Sequence, residues 1–133
     1  MLTDSEIVNA IHQMRAMFPE AGTTLKADTT FHFLLATILS AQSTDKSVNM
    51  VTPPLFARYP TPESLASAEP EDIEPFIQSL GLYHNKAKYL VKAAQGIVTN
   101  FNGEVPHTMK ELTSLAGVGR KVANVVLAEC FNI

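Results

Sequence analysis

The sequence predicts an all-α fold, and three observations carry that prediction. Every segment with clear hydrophobic periodicity repeats at helical spacing, i to i+3 or i+4. No run alternates apolar with polar residues between hairpin turns, so no strand is expected. Threonine, proline and glycine stand where short helices would start and stop. With 133 residues, 46% hydrophobic and 17% charged, the composition is that of an ordinary globular domain. Such a chain can bury roughly two thirds of its unfolded surface, enough for one core.

Taken in order, Ile7, Ala10, Ile11, Met14 and Phe18 form a first helical stripe, with Thr3 and Glu6 as a capping box and Pro19 as its stop. Asp28-Thr29-Thr30 offers caps for a second helix with Phe31, Leu34, Leu35, Ile38 and Leu39 inward. This segment is nearly apolar all round and is expected at the centre of the core. Thr44 caps a third helix carrying Val48, Val51, Leu55 and Phe56. Pro53-Pro54 removes two backbone donors there and predicts a kink or a restart. Thr61-Pro62 and Glu69-Pro70 place proline at first helical positions of two short helices. The second of these turns Ile73, Phe76, Ile77 and Leu80 inward, with Gly81 as its stop. A long helix from about His84 to Phe101 carries Ala87, Leu90, Val91, Ala94, Ile97 and Phe101 on one face and ends at Asn102-Gly103. Thr108 with Glu111 opens a short helix through Leu112 and Leu115. Gly117-Val118-Gly119 then turns the chain into a last helix from Arg120 towards Phe131.

No apolar run approaches the roughly 20 residues of a membrane span, so no membrane partner is expected. The acidic start, Met1 to Glu6, lacks the basic region of a signal peptide, and a cytoplasmic protein is expected. One cysteine excludes an internal disulfide or a four-cysteine metal site within the chain. His12, His32, His84 and His107 show no metal-ligand spacing, so no metal ligands are expected. The net charge of −3 is unevenly spread. Residues 1–80 carry four basic and ten acidic side chains; residues 81–133 carry six basic (Lys86, Lys88, Lys92, Lys110, Arg120, Lys121) and three acidic. A polyanion would be met by the C-terminal part.

The most informative segment is Leu115-Ala116-Gly117-Val118-Gly119-Arg120-Lys121. Two glycines around one apolar residue let the backbone take positive φ and lie close to a neighbour. Val118 can plug the space between helices while the nearby amides face outward. With the following helix N-terminus and Arg120-Lys121, these amides make an anion site suited to phosphate. A plain helix stop is the bland alternative for a short Gly-x-Gly.

This segment resembles the helix–hairpin–helix of the endonuclease III group of DNA glycosylases. Further motifs follow in the family's order. Leu39-Ser40-Ala41-Gln42-Ser43-Thr44-Asp45-Lys46-Ser47-Val48-Asn49 resembles the exit of its second helix. Gly81-Leu82-Tyr83-His84-Asn85-Lys86-Ala87-Lys88 resembles its next signature, and Gly103-Glu104-Val105-Pro106 the approach to its hairpin. Asn124-Val125-Val126-Leu127-Ala128 continues its final helix, so the resemblance runs from about Ile7 onward. Two positions depart from the pattern: Ala116 stands where the family usually has proline, and Val122 where it usually has threonine.

The resemblance implies a helix–hairpin–helix DNA glycosylase domain built as a six-helix barrel. It places an N-terminal helix at residues 1–20, the barrel at 21–133, and the helix–hairpin–helix at 108–131. It implies base-excision repair by a DNA glycosylase and abasic-site lyase acting on oxidised pyrimidines in double-stranded DNA. Lys121 would be the catalytic nucleophile, forming a Schiff base before β-elimination. An attacking amine must be neutral, and a helix start beside Arg120 disfavours a cation. Gly117, Val118, Gly119 and Arg120 would contact DNA, while Gln42 and Leu82 would fill and wedge the gap left by a flipped nucleotide. The family also carries a catalytic aspartate and a four-cysteine [4Fe-4S] cluster beyond the final helix. Neither has a counterpart here, so the chain is expected to be a C-terminally truncated member with impaired activity and no cofactor. The 1–20 helix would then lack its partner and would either self-associate or be only marginally stable with rapid amide exchange, since each large apolar side chain left wet forgoes roughly 1.5–3 kcal/mol. The alternative is a non-catalytic helix–hairpin–helix DNA-binding module.

Overall fold

The structure, a computed structural model, describes residues 25–131. The expected helix at 1–20, its cap, its stop and the self-association expected of it lie outside the described residues. Within them the chain forms helices α1 (Thr30–Leu39), α2 (Asp45–Arg58), α3 (Pro62–Ala66), α4 (Pro70–Ile77), α5 (Tyr83–Phe101), α6 (Met109–Leu112) and α7 (Arg120–Cys130), with no strand among the described residues.

Local chemistry sets most of the helix starts. Thr29, Thr44, Thr61 and Thr108 each take extended backbone and accept a hydrogen bond from an amide in the first turn: those of His32, Ser47, Ser64 and Glu111. Pro62 and Pro70 occupy first helical positions, where a missing N–H is no loss. At the far end of α5, Asn102 (φ +53°) and Gly103 (φ +80°) form the left-handed stop.

The core is one contiguous cluster. In α1, every residue from Phe31 to Leu39 except Phe33 is buried, as its all-round apolarity predicts. This helix packs against α2, α5 and α7. The longest helix, α5, lies against α3 and α4, and the Gln95 side-chain amide donates to the Ala66 carbonyl at 3.1 Å. Ala87, Leu90, Val91, Ala94 and Ile97 form its buried face as expected, while Phe101, on the same stripe at the helix end, is only partly buried.

Two sequence expectations need correction. Of the kink or restart expected at Pro53-Pro54, the restart is absent: α2 is one helical segment through both prolines to Arg58. Both proline rings are exposed, so water can stand in for the two missing donors, while Val48, Val51, Thr52 and Leu55 hold the other face in the core. Further on, α4 stops at Ile77, short of Gly81, and a turn with the Leu80 amide bonded to the Ile77 carbonyl follows. Gly81 does not take the left-handed backbone; Leu82 does, at φ +59°.

The buried His32 joins α1 to the end of α2. Its Nδ1 lies 2.6 Å from Asp28 Oδ1, its Nε2 lies 3.1 Å from the Tyr59 carbonyl, and its ring stacks on Phe56 at 4.0 Å. The hydrogen bond from His32 holds the Asp28 carboxyl below its ordinary value of 3.8. A carboxylate depressed in the folded state stabilises above its unfolded value and loses that contribution as pH falls through the folded one. Asp28→Asn is therefore expected to melt below the parent chain at neutral pH. The gap should close as the solution is acidified below about pH 4. Thermal melts of both proteins across that range check this; a gap that widens in acid would contradict it.

Candidate functional site

The hairpin between α6 and α7 is held by packing on both sides. Leu112, Leu115 and Val118 are buried, all three as part of the hydrophobic core cluster. Gly117 has φ +77°, and a Cβ there would stand 2.8 Å from Tyr89 Cβ and 3.2 Å from Ile38 Cγ2. The hairpin backbone thus lies directly on α5 and α1, a separation only glycine permits. On the neighbouring turn of α5, Gly96 leaves room for Leu115, whose Cδ2 would be 3.0 Å from an added Cβ.

Gly119 differs from Gly117. It has φ −97°, caps α7 without a side-chain hydrogen bond, and a Cβ there would meet nothing within 4 Å. The first-turn amides of a helix have no intrahelical acceptor, and no side chain closes this start as threonine closes α1, α2, α3 and α6. Arg120 and Lys121 follow as the first two residues of α7, and both are exposed. An open helix start with two adjoining basic side chains is an arrangement that favours a phosphate.

The other two sequence-derived positions share a rare backbone state. Gln42 and Leu82 both have φ +59° and both are exposed, Leu82 to 53%. For an L-residue that conformation costs roughly 1–2 kcal/mol, and only Asn, Asp and Gly visit it routinely. Of the described non-glycine residues with positive φ, only Asn102 is of that routine kind. Leu82 is thus no ordinary core leucine: a large apolar side chain is held in water at the start of α5. Beside it, His84 Nδ1 sits 3.0 Å from Glu74 Oε2, and the rings of His84 and Tyr83 lie 4.2 Å apart. Beyond the Gln42 turn, Asp45 opens α2, and burial pushes its carboxyl above its ordinary value.

One basic residue was misread by its charge. Lys86 is 2% exposed, and its Nζ donates to Ser43 Oγ at 2.9 Å. It cannot meet a phosphate from there, whereas Lys88, Lys92, Lys110, Arg120 and Lys121 remain on the surface. The signal for its burial was present in the sequence. Lys86 falls in helical register with Leu90, Ala93 and Ile97, on the stripe that faces the core.

Among the described residues, no group of three or more His, Cys, Asp or Glu could hold a metal ion. Cys130 is half-buried against the core and cannot by itself supply the four thiolates of a cluster. No helix among the described residues is long and apolar enough to cross a membrane.

Comparison with known proteins agrees with this geometry. The family model described as HhH-GPD superfamily base excision DNA repair protein matches residues 35–128. Endonuclease III of Synechocystis sp. is 49% identical over 120 residues, which cover 90% of this chain and 55% of that protein. Endonuclease III of Bacillus subtilis is 41% identical over 133 residues, covering 100% and 61%. The chain therefore spans less than two thirds of the length of these relatives. A trapped endonuclease III–DNA covalent intermediate superposes with a TM-score of 0.82 at 43% identity, over 100% of this chain and 62% of that one. A thermostable thymine-DNA glycosylase, at 24% identity and a TM-score of 0.74, shares the fold.

Proposed function

The chain belongs to the HhH-GPD superfamily of base excision DNA repair proteins, and on that premise we propose that it binds double-stranded DNA at damaged or abasic sites and cleaves there through Lys121. One observation carries the proposal: an exposed amine stands one residue beyond an open helix start, directly after the glycine hairpin. The backbone amides and Arg120 would hold a phosphate, which brings the adjoining sugar to Lys121 Nζ. The neutral amine then gives its lone pair to C1′. From a damaged nucleotide, the base leaves with the electrons of the glycosidic bond and takes up a proton; the amine then loses a proton and the C1′–O4′ bond breaks, O4′ leaving as the hydroxyl of the opened sugar. From an abasic aldehyde, the carbonyl oxygen leaves as water. Either way a Schiff base forms. Loss of a C2′ proton then expels the 3′ phosphate by β-elimination and nicks the strand.

Gln42 and Leu82 would enter the duplex where the target nucleotide swings out, Leu82 as an apolar wedge and Gln42 as a polar filler. Their strained, exposed backbone supports this, because strain held on a surface without a packing reward points to a ligand. The preferred lesions would be oxidised pyrimidines, and the place of action the DNA of the cytoplasm.

The test is borohydride trapping on an abasic duplex beside a gel-shift titration of the same DNA. A covalent adduct mapped to Lys121 is the expected result. Binding without an adduct would replace the enzyme with a non-catalytic DNA-binding module. Affinity should also fall with salt, by about 0.9 log units per log unit for each phosphate neutralised. A slope equivalent to only a few phosphates is expected, since one hairpin supplies the contacts and residues 1–80 are net acidic. Affinity indifferent to ionic strength would contradict this.

A further inference from the structure

We propose that Lys86 is a positioning residue that ties the Gln42 turn to the Leu82 turn and so sets the separation of those two side chains before DNA arrives. The inference rests on the reading that Gln42 and Leu82 enter the duplex. Ser43, whose hydroxyl accepts from Lys86 Nζ at 2.9 Å, is the residue after Gln42, and its amide closes the turn onto the Ser40 carbonyl at 3.1 Å. Lys86 lies one helical turn beyond Leu82, and its amide donates to the Leu82 carbonyl at 2.9 Å. A single part-buried bond, spanning 43 positions of sequence, thus joins the residue after one left-handed residue to the residue whose amide bonds the other.

The choice of side chain is telling. Lys86 sits on the buried face of α5 among Ala87, Leu90 and Val91, where an apolar residue of equal length would pack without stranding a charge. Burial holds its amine below the ordinary lysine range, the mark of a group desolvated to reach its partner. No phosphate contact accounts for the amine, because only 2% of the residue is exposed. What the amine does reach is the loop that presents Gln42.

The test compares Lys86→Met, Ser43→Ala, the double variant K86M/S43A and the conservative Ser43→Thr, each in the full 133-residue chain. Two duplexes are titrated, one undamaged and one carrying a tetrahydrofuran abasic analogue opposite 2-aminopurine, whose fluorescence reports unstacking by an inserted side chain. Lys86→Met and Ser43→Ala are expected to lower the preference for the abasic duplex about tenfold and to blunt the fluorescence rise. Affinity for undamaged duplex should stay within about twofold, because the hairpin phosphate contacts are untouched. Ser43→Thr keeps the hydroxyl and should keep the preference.

Ser43→Ala leaves a buried amine without its acceptor and should melt lowest; K86M/S43A removes both partners and should regain much of that loss. Recovered stability with the preference still low supports the positioning role. Preference that returns with stability in the double variant, or that survives Lys86→Met, overturns it. A parent chain that shows no abasic preference and no fluorescence rise would instead remove the reading of Gln42 and Leu82, and this inference with it.

Discussion

Lys121→Ala is expected to abolish nicking of abasic duplex, by roughly three orders of magnitude or more, the scale on which enzymes lose rate when a covalent nucleophile is removed. Arg120 is one residue away, but a guanidinium stays protonated and offers no lone pair. Lys86 is enclosed in the core. The substitution should leave the fold intact, since Lys121 is exposed on α7 and alanine is the better helix former. Helix content by circular dichroism should therefore be unchanged while the borohydride adduct disappears. Equal nicking by parent and variant on the same duplex would remove Lys121 from the chemistry.

The second large effect separates the two hairpin glycines. Gly117→Ala forces an L-residue into φ +77° and drives its Cβ to 2.8 Å from Tyr89 Cβ, an atom fixed to the α5 backbone. Left-handed strain and overpacking together should destabilise the fold by roughly 2–4 kcal/mol. Gly119→Ala meets open space at φ −97°, and should cost less than about 1 kcal/mol, the loss of a passable N-cap. Its effect should appear in DNA affinity, because a methyl group is placed where the phosphate would approach. Melting temperature and abasic-duplex titration on the two variants check both halves. A Gly119 variant less stable than the Gly117 variant would mean that the hairpin does not rest on α5 and α1 as described.

Much of the fold was legible because its signals are local. A threonine cap acts over three residues, a first-position proline over one, and a helical stripe over two or three turns. Hence Thr29, Thr44, Thr61, Thr108, Pro62 and Pro70 marked their helices correctly. The hairpin was legible for the same reason: Gly117, Val118 and Gly119 are adjacent, and the turn they permit needs only each other and the helices beside them. Shared motifs supplied the family before any geometry was known. The sequence pointed to Lys121, Gln42 and Leu82, and the structure adds that each is exposed.

Elsewhere the sequence alone misled, and each time the deciding neighbour lay far along the chain or on the opposite face. Glycine is the cheapest left-handed residue, so Gly81 was the natural choice for the turn, yet tertiary packing of α4 against α5 puts Leu82 there. Two adjacent prolines argue for a kink or a restart, but the buried face of α2 carries one helical segment through them without a restart. The register of Lys86 places it on the buried stripe while its charge argues for water, and the partner that settles the conflict, Ser43, lies 43 positions away. Caps and stripes were therefore determined by the sequence alone, because their energies are settled within a few residues. Which strained side chain faces solvent, and which charge is taken inside, were decided only by the tertiary structure, because those energies depend on contacts that exist once distant segments have packed.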